Sequence, residues 1–562
     1  MQKRSYLVIF CFFTISILYG QDKDMVRYYI QTNQGTKARS LLCKELNSKN
    51  ITADRTFILA KMYINESKDD SATAVLNTFN QTIEEQRLLK VIGLSLIDMK
   101  KTSDYSDVTQ KMVRELRAFK SSKSAIVKLE AAFVLAQLDK KDDAWELIEQ
   151  ACNLKTDSAE TFVSAGDIYS RLSILLKDNS LYGKACGRYE QALLVNPRYL
   201  PALTALSRAY IGSRNFIEAR QKLRDALAVD STWLPGLQLM GELQYDLGNY
   251  KLASKYYTQF VNSIKPGKQQ LQKYAYILYF NQEHEKAQNI IQSLLIDDPN
   301  NRVLLRLLSY TSCELKQGDK GLQAMQKFMR IGAADSLRLL SSDYEYYGRL
   351  LSMQSLDSLA IPNYILAAKL DTAKASIYEY MAKSYEKLKK FPEAVRAYDS
   401  VIIIDKNASS TIWFSKGRNC LLWADLPEVK ADTAFHSKIL REAVASFTRV
   451  TELSSNSHLG YLWKGRSLAG LDPETTKGLA EESYRKAIEI LEAKNQNEKY
   501  KAELIEAYSY MGYLSYLKFE PAFKTDKNQA QIYKIESLGY WNKILALDST
   551  NTAAIQAIKA LK

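Results

Sequence analysis

The chain has 562 residues, with 77 Lys and Arg against 63 Asp and Glu, a formal charge of +14. Its 22 Gly, 10 Pro and 6 Cys are too few for a collagenous, low-complexity or disulfide-stapled chain. The positive excess is scattered among acidic residues instead of gathered on one helix or tail, which excludes a typical nucleic-acid module and speaks only for association with acidic surfaces.

Residues 1–20 stand apart. Lys3 and Arg4 precede an apolar run from Leu7 to Leu18, which ends in Tyr19-Gly20-Gln21. A charged start, a short apolar run and a small closing residue predict a cleaved export signal. The run is shorter than the roughly 20 apolar residues of a membrane anchor, the alternative reading, and membrane association is expected only if it is retained. Export of a long, cysteine-poor chain predicts a periplasmic protein of the cell envelope. Residues 21–157 then read as a degenerate repeat array. Within it Ala60 and Ala72, Gly93 and Tyr105, and Ala132 and Ala144 are paired across a constant interval.

From 158 to 562 the array becomes regular. Ala219, Ala253, Ala287 and Gly321 follow at steps of 34, and Ser207, Gly241, Ala275 and Ser309 keep the same step upstream. Leu223, Tyr257, Ile291 and Met325 share it, as do Ala226, Phe260, Leu294 and Phe328. A fixed period of this length marks stacked supersecondary units. Each unit reads as two amphipathic helices: Leu203, Leu206 and Tyr210 line one, a turn at Asn215 follows, and Ala219, Leu223 and Ala226 line the next. Pro197 and Pro299 close second helices. One such pair cannot bury its apolar face alone, so the units must stack. The predicted fold is an all-α, right-handed α-solenoid.

These residues resemble the tetratricopeptide repeat. The motif stands here as Ala165-Gly166 with Tyr169, Ala185, Tyr189, Ala192 and Pro197. It recurs as Tyr378, Met381-Ala382, Tyr385, Ala394 and Tyr398, and as Trp413, Gly417, Ala443 and Phe447. Further units centre on Gly465 with Tyr484 and Ala487, and on Gly512 with Trp541. Three units are too long, by extra residues near 174–181, 424–440 and 518–534. Those residues belong either in the turn inside the unit or in longer helices.

Enzymatic motifs are missing from the sequence, and no cofactor is expected. Gly460 to Ser467 imitates a phosphate loop, but Tyr461 and Gly465 hold first-helix places, so nucleotide binding is not expected. His284, His436 and His458 lack metal-ligand spacing, and Cys43, Cys152, Cys186, Cys313 and Cys420 read as apolar helix residues. In the resembling family the first helices line a concave groove. Its groove places fall here on Arg208, Tyr245, Tyr276, Tyr279, Arg306 and Tyr310, then on Arg349, Lys383, Arg418 and Arg466. An aromatic patch and a basic stripe suit a protein or peptide partner of acidic character. The competing reading pairs these cations with Glu345, Glu379 and Glu386. The function expected is a non-enzymatic interaction scaffold; a polysaccharide-, peptidoglycan- or anionic-surface-binding module is the alternative, an enzyme comes third, and no nucleic-acid partner is expected.

Overall fold

An amphipathic helix buries its apolar stripe only against a neighbour, and here the neighbour is the next helix in the chain. Leu200–Gly212 and Phe216–Val229 make such a hairpin. Leu203, Leu206, Ala219, Leu223 and Ala226 are all buried in it. The two helices come so close that Ser207 Oγ donates to the carbonyl of Ala219 at 2.9 Å. A larger residue at either place would force them apart. The computed structural model describes residues 26, 29–30, 35–49, 51–154, 158–263, 266–333, 339–495 and 498–561. Among them the chain is an all-α solenoid of stacked hairpins, with no strand. The expected export signal over 1–20 lies outside the described residues.

The period returns in the backbone. Arg214, Gly248, Gln282 and Lys316 all have positive φ and stand 34 residues apart; Ser355 and Lys389 repeat the interval. Each closes a first helix with the same two hydrogen bonds. Gly248 N–H donates to the Tyr245 carbonyl at 3.0 Å, and Asn249 N–H to that of Gln244 at 2.8 Å. This left-handed cap uses the carbonyls that a helix end leaves unpaired.

Between the two helices, small residues face large rings. A β-carbon on Gly241 would lie 2.9 Å from the Tyr257 ring, one on Gly348 2.5 Å from Tyr364, and one on Gly417 2.8 Å from Phe447. In the last long hairpin Ser537 Oγ donates to the Gly512 carbonyl at 2.8 Å and accepts from Trp541 Nε1 at 3.2 Å. The repeat motif therefore fixes the separation of its own helices.

The extra residues are built as helix. The first long hairpin is Ala159–Leu175 with Ser180–Val195. The second is Ser410–Ala424 with Thr433–Leu453, bridged by the short Pro427–Lys430. The third is Lys501–Thr525 with Lys527–Leu547. In the first and third the turn stays short and the helices grow, whereas in the second the turn also lengthens, over 425–432, around its short helix.

The chain divides into two compact units, Met1–Leu294 and Leu295–Lys562. In the first, one core cluster runs from Val26 to Ala209, through the junction expected near 157. Its early hairpins are irregular. Ala60 and Ala72 are buried, as are Ala132 and Ala144, but the pairing of Gly93 with Tyr105 does not hold. Helix Glu84–Lys101 is long enough to leave Tyr105 exposed in the following turn, and Gly93 packs on Leu76 instead. Two cations are buried here as well. Lys61 Nζ pairs with Glu130 at 2.6 Å. Lys128 Nζ donates to the carbonyls of Phe119 at 3.2 Å and Lys120 at 2.5 Å, closing the helix Leu116–Ser121. In the second unit the core is a series of clusters, one for each hairpin or adjoining pair.

Candidate functional site

In the first unit the helices Leu234–Asp246 and Lys268–Phe280 carry the sequence-predicted aromatics Tyr245, Tyr276 and Tyr279. Tyr245 lies edge-on to Phe280 at 5.6 Å, and Phe280 stacks on Tyr250 at 5.0 Å and meets Tyr279 at 5.1 Å. Phe280 is 41% exposed although it is the apolar centre of this group. Burial pushes the Tyr245 hydroxyl up to about 12, aided by Tyr276 and Tyr250 beside it. Lys273 Nζ stands 4.3 Å over the Tyr245 ring and 3.7 Å from Asp246. On the same helix Glu242 accepts from Gln238 at 2.9 Å. Burial holds its carboxyl above the ordinary range, while Gln238, Lys273 and Arg208 pull it back. The structure thus joins Arg208, Tyr245, Tyr276 and Tyr279 into one surface of half-buried rings with both charge signs. Tyr250, Phe280, Lys273 and Glu242 belong to it but were not among the predicted places. One signal for them was present, since Tyr250 and His284 repeat at the 34-residue step, as do Tyr245 and Tyr279.

The predicted cations of the second unit have a different environment. Arg306 Nη2 donates to Asp343 Oδ2 at 2.9 Å, and its Nε lies in ion-pair contact with Oδ1 at 2.8 Å. Asp343 is wholly buried and also accepts from the Tyr310 hydroxyl at 2.7 Å and from Leu340 N–H at 2.8 Å. Tyr310 is itself buried, stacked on Tyr346 at 4.0 Å. Burial and the Asp343 carboxylate hold its hydroxyl far above the usual tyrosine range. Arg349 donates to Glu314 at 2.8 Å and lies over the rings of Tyr346 and Tyr380. Arg418 reaches Glu386 at 3.3 Å, and Lys383 pairs with Glu379 of its own helix at 2.5 Å. Arg466 holds Glu506 with two bonds of 2.8 and 2.6 Å and covers Trp463. Four of these five cations bridge one first helix to the next, and Lys383 is the exception. Their charge is compensated in place, and they knit successive hairpins together.

Solved structures similar to this chain include tetratricopeptide-repeat proteins. The C-terminal part of one from Cytophaga hutchinsonii is 28% identical, over 51% of this chain and 98% of that one, with a TM-score of 0.38. A tetratricopeptide repeat protein from Parabacteroides merdae is 15% identical, over 48% of this chain and 98% of its own, with a TM-score of 0.33. PilW, a type IV pilus biogenesis factor, is 19% identical over 39% of this chain and 97% of its own, at 0.30. No family model and no curated protein matches the sequence.

Residues with latent chemistry sit in structural surroundings. Burial pushes the thiols of Cys313 and Cys420 up to about 12 and that of Cys152 to about 11, so none is a ready nucleophile. The phosphate-loop imitation lies in helix His458–Leu471, with Gly465 against Tyr484 and Arg466 on Glu506. Its amides are committed to the helix. His284 packs on Tyr279 at 5.5 Å, and His458 Nδ1 meets Lys494 Nζ at 2.7 Å. Among the described residues no acid, Cys and His cluster could hold a metal, and no helix is long and apolar enough to cross a membrane.

Proposed function

We propose that this chain is a non-catalytic scaffold of the cell envelope, of the tetratricopeptide-repeat family, that docks an extended segment of a partner protein. The docking surface is the one formed by Arg208, Glu242, Tyr245, Lys273, Tyr276 and Phe280. One observation carries this choice: here the rings of Tyr245, Tyr250, Tyr279 and Phe280 are gathered and half-exposed. Half-buried aromatics beside charges of both signs are the usual anchors of protein interfaces. The extended backbone of a partner segment would lie across Tyr245 and Tyr276, with Lys273 and Arg208 meeting its acidic side chains. Support for export comes from Lys3, Arg4 and the apolar run after them.

The test is capture from envelope extracts on the immobilised protein. Tyr245→Ala with Tyr276→Ala should lower recovery of a discrete, stoichiometric protein by about tenfold or more. Arg349→Gln, Lys383→Gln and Arg418→Gln together should leave recovery unchanged. The reverse pattern would transfer docking to the basic stripe. Retention on glycan or lipid alone would reject the scaffold.

A further inference from the structure

The second helix of each hairpin turns one face to its first helix and the other to solvent. In the four hairpins before the one that contains Asp357–Leu370, that outer face is mostly polar, with a single exposed apolar residue in three of them: Ile217, Leu252 and Ile296. Gln221 and Arg224, Lys251 and Lys255, Lys286 and Gln292, and Gln323, Gln326 and Arg330 are all exposed there. Helix Asp357–Leu370 departs from this rule. Its inward residues Ala360, Tyr364 and Ala367 are buried as usual, but Leu359, Pro362, Leu366 and Leu370 face outward. The three leucines are 56%, 42% and 51% exposed. These residues recur at three- and four-residue spacing, so they form one stripe about 17 Å long. A helix apolar on both faces is ordinarily covered on both.

We propose that this stripe is a self-association surface, on which a second copy of the chain packs antiparallel. The stripe nearly repeats itself when reversed: Leu359 would meet the partner's Leu370, and Pro362 the partner's Leu366. The flank agrees. Helix Gly318–Ala333 adjoins it, with Leu322 packed in the core of Ala360 and Tyr364. It carries exposed Asp319 at its start and exposed Arg330 at its end. Antiparallel pairing sets each Asp319 against the partner's Arg330, which gives the apolar centre a complementary polar rim. Docking of a different protein would not require this match of a surface with its own reverse. The surface lies in the second unit and is independent of the partner-docking reading.

The experiment is sedimentation of the full-length chain across the micromolar range. The wild type should show twice the protomer mass. Leu359→Glu with Leu366→Glu should reduce it to one protomer with unchanged helical circular dichroism, because both side chains are exposed in the protomer. A second arm leaves the leucines untouched: Asp319→Lys should weaken self-association about tenfold, and adding Arg330→Glu should restore it. A monomeric wild type, or a dimer that survives the double glutamate variant, overturns the proposal. Failure of the charge swap to restore association overturns the antiparallel register.

Discussion

Replacing Gly348 by Ala tests how tightly the hairpins are sized. The new β-carbon would stand 2.5 and 2.8 Å from two ring carbons of Tyr364, closer than real β-carbon contacts allow. Tyr364 is 1% exposed, with its ring stacked towards Tyr380, so it has nowhere to retreat. Overpacking of this kind costs about 1–3 kcal/mol. Alanine recovers about 1 kcal/mol of that through its helix propensity, leaving a net loss of about 0–2 kcal/mol. Gly187→Ala is the matched control: its β-carbon would have nothing within 4 Å, so propensity alone acts and the variant gains about 0.5–1 kcal/mol. Urea titrations followed by circular dichroism measure both. Hydrogen exchange should place the loss in helices Ser341–Met353 and Asp357–Leu370. Because a repeat array opens locally, the local measurement is the more direct one. A Gly348→Ala variant that gains as much stability as the Gly187→Ala control would refute the argument that small residues set the helix spacing.

Gln282→Gly should stabilise the chain by about 0.5–1 kcal/mol in the same titration, since Gln282 holds a left-handed conformation that Gly248 adopts freely. Lys128→Met should cost about 2–3 kcal/mol and loosen helix Leu116–Ser121, because the Phe119 and Lys120 carbonyls lose a buried donor. Asp54 gives the pH dependence. Burial, with Glu85 and Glu160 nearby, raises its carboxyl from 3.8 to about 6. The folded state therefore binds the proton more tightly, and stability falls as pH rises from about 4 to 6. The full shift corresponds to about 3 kcal/mol, and solvent screening of a partly exposed carboxyl reduces it to about 1–2 kcal/mol. Asp54→Asn should melt higher at pH 7 and show no gain at pH 4.

The fold was legible because its chief constraint is local. Gly241 and Tyr257 meet within one regular hairpin, so the period alone predicts their contact. The long hairpins were only half legible. The sequence shows surplus residues near 424–440, but whether they loop or continue a helix depends on what they pack against. Gly93 and Tyr105 kept the interval without the contact, since the longer helix Glu84–Lys101 shifts the turn. The candidate residues do lie on first helices, and Glu379 and Glu386 were legible as the partners of Lys383 and Arg418, but the partners of Arg306, Arg349 and Arg466 were hidden. Asp343 binds Arg306 and Glu506 binds Arg466 from a neighbouring unit, and that register is set by stacking and not by sequence distance. Phe280 and Tyr250 escaped because they flank turns outside the groove places. The outward leucines of Asp357–Leu370 escaped because a repeat motif records only inward positions.

The most direct measurement is hydrogen exchange on the scaffold with and without its captured partner. Protection on binding should concentrate in helices Leu234–Asp246 and Lys268–Phe280, around Tyr245 and Tyr276. Protection confined to Ser341–Met353, Ala375–Lys387 and Ser410–Ala424, with those two helices unchanged, would contradict the aromatic docking surface.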